Sequence, residues 1–371
     1  MLSDQGAMSI STTQFVILGV AAFALTGLLT WPVRALAIRI GAMDAPNLAR
    51  KTQAEPVPYL GGVAIALGIT IITLAAVFVG GIKSGDNAGQ LKDLALTVLL
   101  PALALGVMGL FDDLRSLSPW PRLIAQSVVG TVVAFVIVNN GTVGTPFGNG
   151  GVVEQGVNLA SGNWINTAVT IFWIVGICNS INFFDNLDGA ASGAVAIAAL
   201  GVFVIAFDRG QELVSALSIV TAGATIGFLM WNKSPAKIYM GDAGALFLGI
   251  IISVATIRLN PGIVPTWKSL TIPVILLAVP LLDTCVAVFS RLARGLSPLT
   301  GGKDHLSHRL VRAGLTRPQA AISLWSTSGV CAVIAVAIYM YPDSLGSLLI
   351  GGFAIAWLSA LALFLRTPSQ D

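Results

Sequence analysis

Apolar and polar residues fall along this chain in blocks rather than in stripes. Eleven strongly apolar stretches lie at about 13–33, 59–80, 94–111, 121–138, 164–181, 189–207, 212–230, 244–259, 270–292, 319–341 and 346–365. A helix needs about 20 apolar residues to cross the hydrocarbon of a bilayer, and the stretches approach that length. The pattern predicts an all-α polytopic membrane protein of about eleven transmembrane helices, organised as one integral membrane domain over 1–371. The two longest connections are at about 34–58 and 293–318. The next, 139–163, is rich in Gly and Asn with Glu154 its only charge, and reads as a small outer β-hairpin without a catalytic role.

Composition agrees with that reading. The chain has 371 residues, 55% hydrophobic and only 10% charged, with mean hydropathy +0.86. A soluble domain carries about 25% charged residues. The net charge of +3 is small and its basic residues sit in loops beside apolar stretches, so no nucleic-acid partner is expected. Cys178, Cys285 and Cys331 all lie in apolar stretches and read as buried thiols rather than a disulfide set or metal site. The first apolar stretch has no Lys or Arg ahead of it and reads as a retained span rather than a signal peptide.

Charge also predicts orientation. With the N-terminus outside, fifteen Lys and Arg fall on the cytoplasmic side and five on the outer side, the bias that positive-inside sorting produces. An odd number of spans then leaves the C-terminus cytoplasmic. The same assignment brings Asp112, Asp113, Asp185, Asp188, Asp242, Asp304, His305 and His308 to the cytoplasmic face, although none of them entered the count.

Polar clusters at the ends of these spans carry the chemistry. Asn179-Ser-Ile-Asn-Phe-Phe-Asp-Asn-Leu-Asp-Gly189 packs Asn179, Asn182, Asp185, Asn186 and Asp188 between two apolar blocks. A solvated turn also favours Asn, Asp and Gly, but ionisable groups beside lipid are costly and point to function. Asp185 and Asp188 have the spacing of one helix face, and carboxylates with amides suit a hard cation such as Mg²⁺ or Mn²⁺. Asp112 and Asp113 close the third stretch, and adjacent carboxylates raise one pKa unless a cation lies near. Met240-Gly-Asp-Ala-Gly244 sets Asp242 between two glycines where a helix start would offer free amides to an anion.

The basic loop from Arg291 to Arg317 contains the chain's only histidines, His305 and His308. Arg, Lys and protonated His together would stabilise phosphate oxygens, whereas anchoring to anionic headgroups explains the arginines better than the histidines. Asp283 lies inside the ninth stretch, where pairing with a cation and a structural hydrogen bond are equally open. In the first cytoplasmic loop, prolines fix the backbone, Gly61 and Gly62 allow close approach, and Lys51 could reach a phosphate. An acidic cluster fit for Mg²⁺, a basic loop fit for phosphate and a lipid-embedded body sum to metal-assisted transfer of a phosphate group onto a lipid carrier.

These motifs resemble the polyprenyl-phosphate N-acetylhexosamine-1-phosphate transferases. The resemblance runs from about Asp44 to Gln319 through Pro56-Val-Pro-Tyr-Leu-Gly-Gly62, Phe111-Asp-Asp-Leu114, the Asn179–Gly189 run, Met240–Gly244 and the His-containing loop. Arg291-Leu-Ala-Arg-Gly-Leu-Ser-Pro298 followed by His305-Leu-Ser-His-Arg-Leu310, with eleven spans, looks more like the GlcNAc-1-phosphate branch than the phospho-MurNAc-pentapeptide branch. Four positions depart from the family pattern: Ser307 stands for a histidine, Gly302 for an aspartate, Gln53 for a histidine and Asn186 for a glycine. They bear on the sugar rather than on the reaction class.

The resemblance implies transfer of GlcNAc-1-phosphate from UDP-N-acetylglucosamine, a UDP-N-acetylhexosamine, to polyprenyl phosphate, with release of UMP and with Mg²⁺. This would be the first membrane step of a cell-envelope polysaccharide such as lipopolysaccharide or teichoic acid. It implies that Asp112 orients or deprotonates the lipid phosphate, that Asp113 supports it, and that Asp185 and Asp242 hold the metal. Asn179, Asn182 and Asp188 would hold the nucleotide or its loop. Arg291, His305 and His308 would hold the diphosphate, with Lys51 assisting. A multi-pass protein of the inner (plasma) membrane, with a cytoplasmic active site and a homodimeric assembly, is the accompanying expectation. The competing readings are a pentapeptide transferase, a secondary transporter and an inactive scaffold. A transporter would place its ionisable groups near the midplane, where only Asp283 lies.

Overall fold

A computed structural model describes residues 10–44, 55–79, 94–115, 117–139, 164–299 and 301–367. Lys51 and the expected hairpin at 139–163 lie outside the described residues, apart from Asn139 at a helix end.

Helix occupies each of the eleven expected stretches. In chain order these are α1 (Thr12–Arg39), α2 (Gly61–Val79), α3 (Leu100–Arg115, preceded by a π turn at Ala95–Leu99), α4 (Pro119–Asn139) and α5 (Trp164–Phe184). Then come α6 (Ala190–Asp208), α7 (Glu212–Asn232), α8 (Gly241–Arg258), α9 (Thr266–Leu276) and α10 (Ala278–Ala293). The short α11 (Leu306–Arg312) lies in the basic loop, and α12 (Arg317–Met340) and α13 (Ser347–Arg366) complete the chain. Among the described residues, eight helices are long and apolar enough to cross a membrane, or nine when α9 and α10 count as one span. The chain is a multi-pass, all-α membrane protein.

The ninth expected stretch is not one straight helix. α9 and α10 meet at 73° around Leu277. Pro280 has no N–H to give the carbonyl of Leu276, and its ring crowds that turn, so the helix breaks there. Up to the bend the helical ladder of α9 holds, with Leu277 donating to the carbonyl of Pro273 at 3.1 Å.

Small residues set how the bundle packs. A Cβ on Gly223 would lie 2.1 Å from the carbonyl oxygen of Gly19, and one on Gly227 2.2 Å from that of Phe23. Two glycines four apart on α7 thus bring α1 to backbone contact, as membrane helices do where lipid gives no hydrophobic drive. Trp231 closes the same seam by donating Nε1 to the carbonyl of Gly27 at 2.9 Å. α8 is the enclosed helix, with 78% of its span buried, whereas α13 buries none of its own. The site-bearing Met240–Gly244 segment therefore enters the middle of the bundle.

The first loop is tied to that segment. β1 (Met43–Asp44) pairs antiparallel with β2 (Val57–Pro58), and Tyr59 bridges to Tyr239 in parallel. Gly61 and Gly62 then donate to the carbonyls of Tyr239 and Met240 at 2.9 and 2.8 Å.

Candidate active site

Three helices deliver carboxylates to one end of the bundle. Asp112 and Asp113 are in the last turn of α3, Asp242 in the first turn of α8, and Asp185 just past α5. Arg122, in the first turn of α4, joins them. Its Nη1 lies 3.0 Å from Asp112 Oδ2 and 2.7 Å from Asp242 Oδ2. The second oxygen of Asp112 accepts from the backbone N–H of Leu117 at 2.6 Å, closing the turn from α3 into α4. The second oxygen of Asp242 accepts from Asn182 Nδ2 at 2.7 Å.

Asp113 has a different place. Its two oxygens accept the backbone amides of Asp242 and Ala243 at 2.8 and 3.0 Å. The free amides expected at the start of α8 are thus already taken by a carboxylate of the chain itself, which satisfies orphan donors and favours the helix dipole. Gly241 makes the approach feasible. Its φ is +69, and a Cβ there would meet Asp113 Oδ2 at 2.5 Å. Asp113 therefore fixes where the Asp242 backbone sits.

Asp185 is the group in electrostatic need. Burial first, then the carboxylates of Asp242, Asp113 and Asp188, push its pKa up to about 8. The turn that holds it is stapled from below. Gly189, in the left-handed conformation, donates its N–H to Asn232 Oδ1 at 3.1 Å, and Ser192 Oγ donates to the same oxygen at 3.0 Å. Asn232 Nδ2 in turn donates to the carbonyl of Ile238 at 3.0 Å, which joins this turn to the approach to α8. Asp188 accepts from the Ala236 N–H and from Arg317 Nη2, each at 3.2 Å. Asn179 sits deeper and donates to Gln126 Oε1 at 2.5 Å, so it braces α5 against α4.

The basic loop folds over the same turn. Arg291 is buried and gives Nε to Asp304 Oδ2 at 3.1 Å, Nη1 to the carbonyl of Pro298 at 2.8 Å, and Nη2 to His305 Nε2 at 3.2 Å. Arg294 Nη2 reaches the other oxygen of Asp304 at 2.5 Å. Phe183 links the loop to the acidic turn: the Arg291 guanidinium stands 5.4 Å from its ring centroid and the His305 ring 5.9 Å, edge-on. Ser307 Oγ donates to Asn186 Oδ1, so two of the four departures from the family pattern touch each other.

The two histidines sit in different surroundings. Arg291 and Asp283 face opposite nitrogens of the His305 ring, Arg291 Nη2 at 3.2 Å from Nε2 and Asp283 Oδ2 at 2.7 Å from Nδ1. His308 is half-buried, and burial first, then His305 and the nearby Arg312 and Lys303, pull its pKa down to about 4 against the pull of Asp283. Positive charge around the loop comes from arginines and lysines.

Of the expected site residues, Asp112, Asp113, Asn182, Asp185 and Asp242 come together, Asp188 and Asn179 brace them, and Arg291, His305 and His308 form the adjoining loop. Two participants carry no site signal in the sequence. Arg122 reads only as a cytoplasmic charge, although it is the basic residue of the turn that follows the Asp pair, and Gln126 lies four residues on. Asp304, placed on the cytoplasmic face by the sequence without a role, is the acid that holds Arg291 and Arg294.

Among the described residues no three His, Cys, Asp or Glu side chains are already gathered as a metal ligand set. The donors nonetheless fit Mg²⁺. They are carboxylate and amide oxygens without sulfur, and Asp185 is driven up in pKa beside other carboxylates. Mg²⁺ is commonly held by one or two carboxylates, with substrate phosphates and water completing its shell.

Residues 95–260 match the family model described as glycosyl transferase family 4. A probable undecaprenyl-phosphate N-acetylglucosaminyl 1-phosphate transferase of Bacillus subtilis is 33% identical over 84% of this chain and 82% of its own length. A decaprenyl-phosphate N-acetylglucosaminephosphotransferase of Mycobacterium tuberculosis is 29% identical over 98% of this chain and 92% of its own. A phospho-N-acetylmuramoyl-pentapeptide-transferase of Streptococcus thermophilus is 31% identical over 67% of this chain and 73% of its own.

Proposed function

From the premise that this chain belongs to the polyprenyl-phosphate N-acetylhexosamine-1-phosphate transferases of glycosyl transferase family 4, we propose that it transfers N-acetylglucosamine-1-phosphate from UDP-N-acetylglucosamine to polyprenyl phosphate. The observation that carries this reading is the junction of Asp112, Arg122 and Asp242, pinned by Asp113, at the end of a lipid-embedded bundle. The GlcNAc-phosphate transferases match 84–98% of the chain and the pentapeptide transferase 67%, which favours the smaller substrate.

In the reaction, an oxygen of the lipid phosphate attacks the phosphorus that carries the sugar. The bridging P–O bond to the uridine monophosphate breaks, and UMP leaves with that oxygen. Such transfer is mainly positioning and charge neutralisation. Asp112, one oxygen on Arg122 and one on the Leu117 amide, orients the incoming lipid phosphate at the α3–α4 turn. Asp113 holds the Asp242 backbone, and Asn182 sets the rotamer of Asp242. Asp185 and Asp242 would hold Mg²⁺, which supplies neutralisation of the phosphate charge when bound. Arg291 has five N–H groups, and the three protein bonds it makes hold its plane on Phe183, where it would meet the nucleotide's diphosphate. Asn179 and Asp188 act through the turn they brace.

The same reading puts the site on the cytoplasmic face of the plasma membrane, on the strength of the Lys and Arg asymmetry, and the product at the start of a cell-envelope polysaccharide. A homodimer is part of it, to be checked by cross-linking in native membranes.

The test is transfer of radiolabel from UDP-GlcNAc to lipid in membranes expressing the protein with Mg²⁺, beside Asp112→Asn and EDTA arms. Label in the lipid extract that vanishes in both arms supports the reading. Label that survives EDTA removes the metal from it. Label with UDP-MurNAc-pentapeptide and none with UDP-GlcNAc replaces the donor.

A further inference from the structure

Asp283 is the one carboxylate on α10, and it is fully buried. Both of its oxygens are used. Oδ2 lies 2.7 Å from His305 Nδ1, and Oδ1 accepts the backbone N–H of Leu306 at 2.6 Å. The second bond caps the start of α11, because His305 is its N-cap residue and offers no side-chain cap of its own. The first bond leads on to Arg291, whose Nη2 lies 3.2 Å from the other nitrogen of the same ring. A buried chain thus runs from Asp283 through His305 to Arg291, and from Arg291 to Asp304 and the face of Phe183.

We propose that Asp283 is a positioning residue for the transferase site: it holds His305 as the Nδ1–H tautomer, and so keeps Nε2 free to accept from Arg291. Only that tautomer satisfies both neighbours. With the proton on Nε2, two donors would face each other at the Arg291 side, and Asp283 would face a bare lone pair. The same carboxylate anchors the first turn of α11, so one residue on α10 sets both the plane of the Arg291 guanidinium and the entry angle of the helix that bears His308. The consequence for catalysis rests on the function proposed above; the tautomer does not.

The amide Asp283→Asn separates these roles. Asparagine has one acceptor oxygen where aspartate has two, so it cannot accept from both Leu306 and His305. Keeping the Leu306 cap turns the amide N–H toward His305 Nδ1, forces the proton onto Nε2, and sets it against Arg291. A misplacement of this size at a positioned charge lowers turnover by about a hundred-fold.

The experiment is nitrogen NMR on detergent-solubilised full-length protein carrying ¹⁵N-histidine. The chain has two histidines, so two ring systems appear, and His308→Gln assigns them. Wild type is expected to show His305 with protonated Nδ1 and bare Nε2. A protonated Nε2 in wild type overturns the proposal, without reference to any variant or activity. In Asp283→Asn, the His305 tautomer should switch while the His308 signals persist, which reports that the fold survives. Turnover with UDP-GlcNAc should fall about a hundred-fold, with a smaller change in KM. An unchanged tautomer with unchanged turnover sinks the proposal. So does loss of activity with an unchanged tautomer, since the effect then does not pass through His305. Absence of transfer by wild type with any UDP-sugar would instead fail the proposed function, leaving the tautomer to be judged from the wild-type spectrum.

Discussion

Asp113 accepts the backbone amide of Asp242 at 2.8 Å, across 129 residues of sequence. One carboxylate thus caps the helix that presents another, and the two cannot be varied independently. Asp113→Asn replaces one acceptor oxygen with a donor that faces an amide N–H. Leaving a buried donor unsatisfied costs about 1–3 kcal/mol. We expect a lowered melting temperature together with a large loss of transfer, and a double-mutant cycle with Asp242→Asn in which the two activity losses fail to add. Full additivity would show that Asp113 acts separately from Asp242.

Arg122 serves two carboxylates with one nitrogen. Removing it as Arg122→Met leaves Asp112 and Asp242 without their shared cation, and transfer should fall by more than ten-fold at saturating Mg²⁺. Lysine keeps the charge but lacks the planar fork and is shorter in reach, so Arg122→Lys should fall between wild type and Met. Equal activity in all three proteins, measured by initial rate of lipid-linked label, would remove Arg122 from the site.

The fold was legible where lipid imposes a length. Blocks of apolar residues became helices at every expected stretch because the bilayer demands satisfied backbone over about 20 residues. The acidic residues at Asp112, Asp113, Asp185 and Asp242 stood out for the same reason, as polar groups at the ends of oily segments. Their partners did not. Arg122 and Asp242 meet across 120 residues, and Asp283 meets His305 across 22, in contacts that only packing creates. The break at Leu277 did leave a trace in Pro273 and Pro280, yet membrane helices tolerate proline, so hydropathy read straight through it. The charge state of His308 is not legible in the sequence because burial, a product of the fold, pulls its pKa down.

Gly62 is where the first loop touches the start of α8. A Cβ there would lie 2.1 Å from the Gly244 nitrogen and 2.4 Å from its Cα. These are backbone atoms and cannot swing aside. Gly62→Ala should therefore push α2 from α8, lower the melting temperature in detergent by several degrees, and disturb Asp242 two residues away from the clash. Gly351→Ala, where nothing lies within 4 Å of the new methyl, is the matched control and should behave as wild type. A Gly62→Ala protein as stable as the control would show that the α2–α8 seam is not as close as described.

His308 gives the protein a predictable acid response. Its pKa is held down to about 4 by burial first and by His305 next, whereas an unfolded histidine titrates near 6.5. Above about pH 6.5 neither state binds the proton, so His308 contributes no pH dependence there. Between about 6.5 and 4 the unfolded chain is protonated at His308 and the folded chain is not, so stability falls as pH falls. Below about 4 both states are protonated and the loss stops growing. Other groups titrate in the same range, Asp185 among them with the opposite sign, since its raised pKa favours the folded state on acidification. The difference between wild type and His308→Gln isolates the histidine. Melting temperatures from pH 7.5 to 4.5 should diverge below about 6.5, with wild type falling more steeply. Parallel curves would mean that His308 titrates as it does in the unfolded chain, and that the ring is open to water rather than buried against the basic loop.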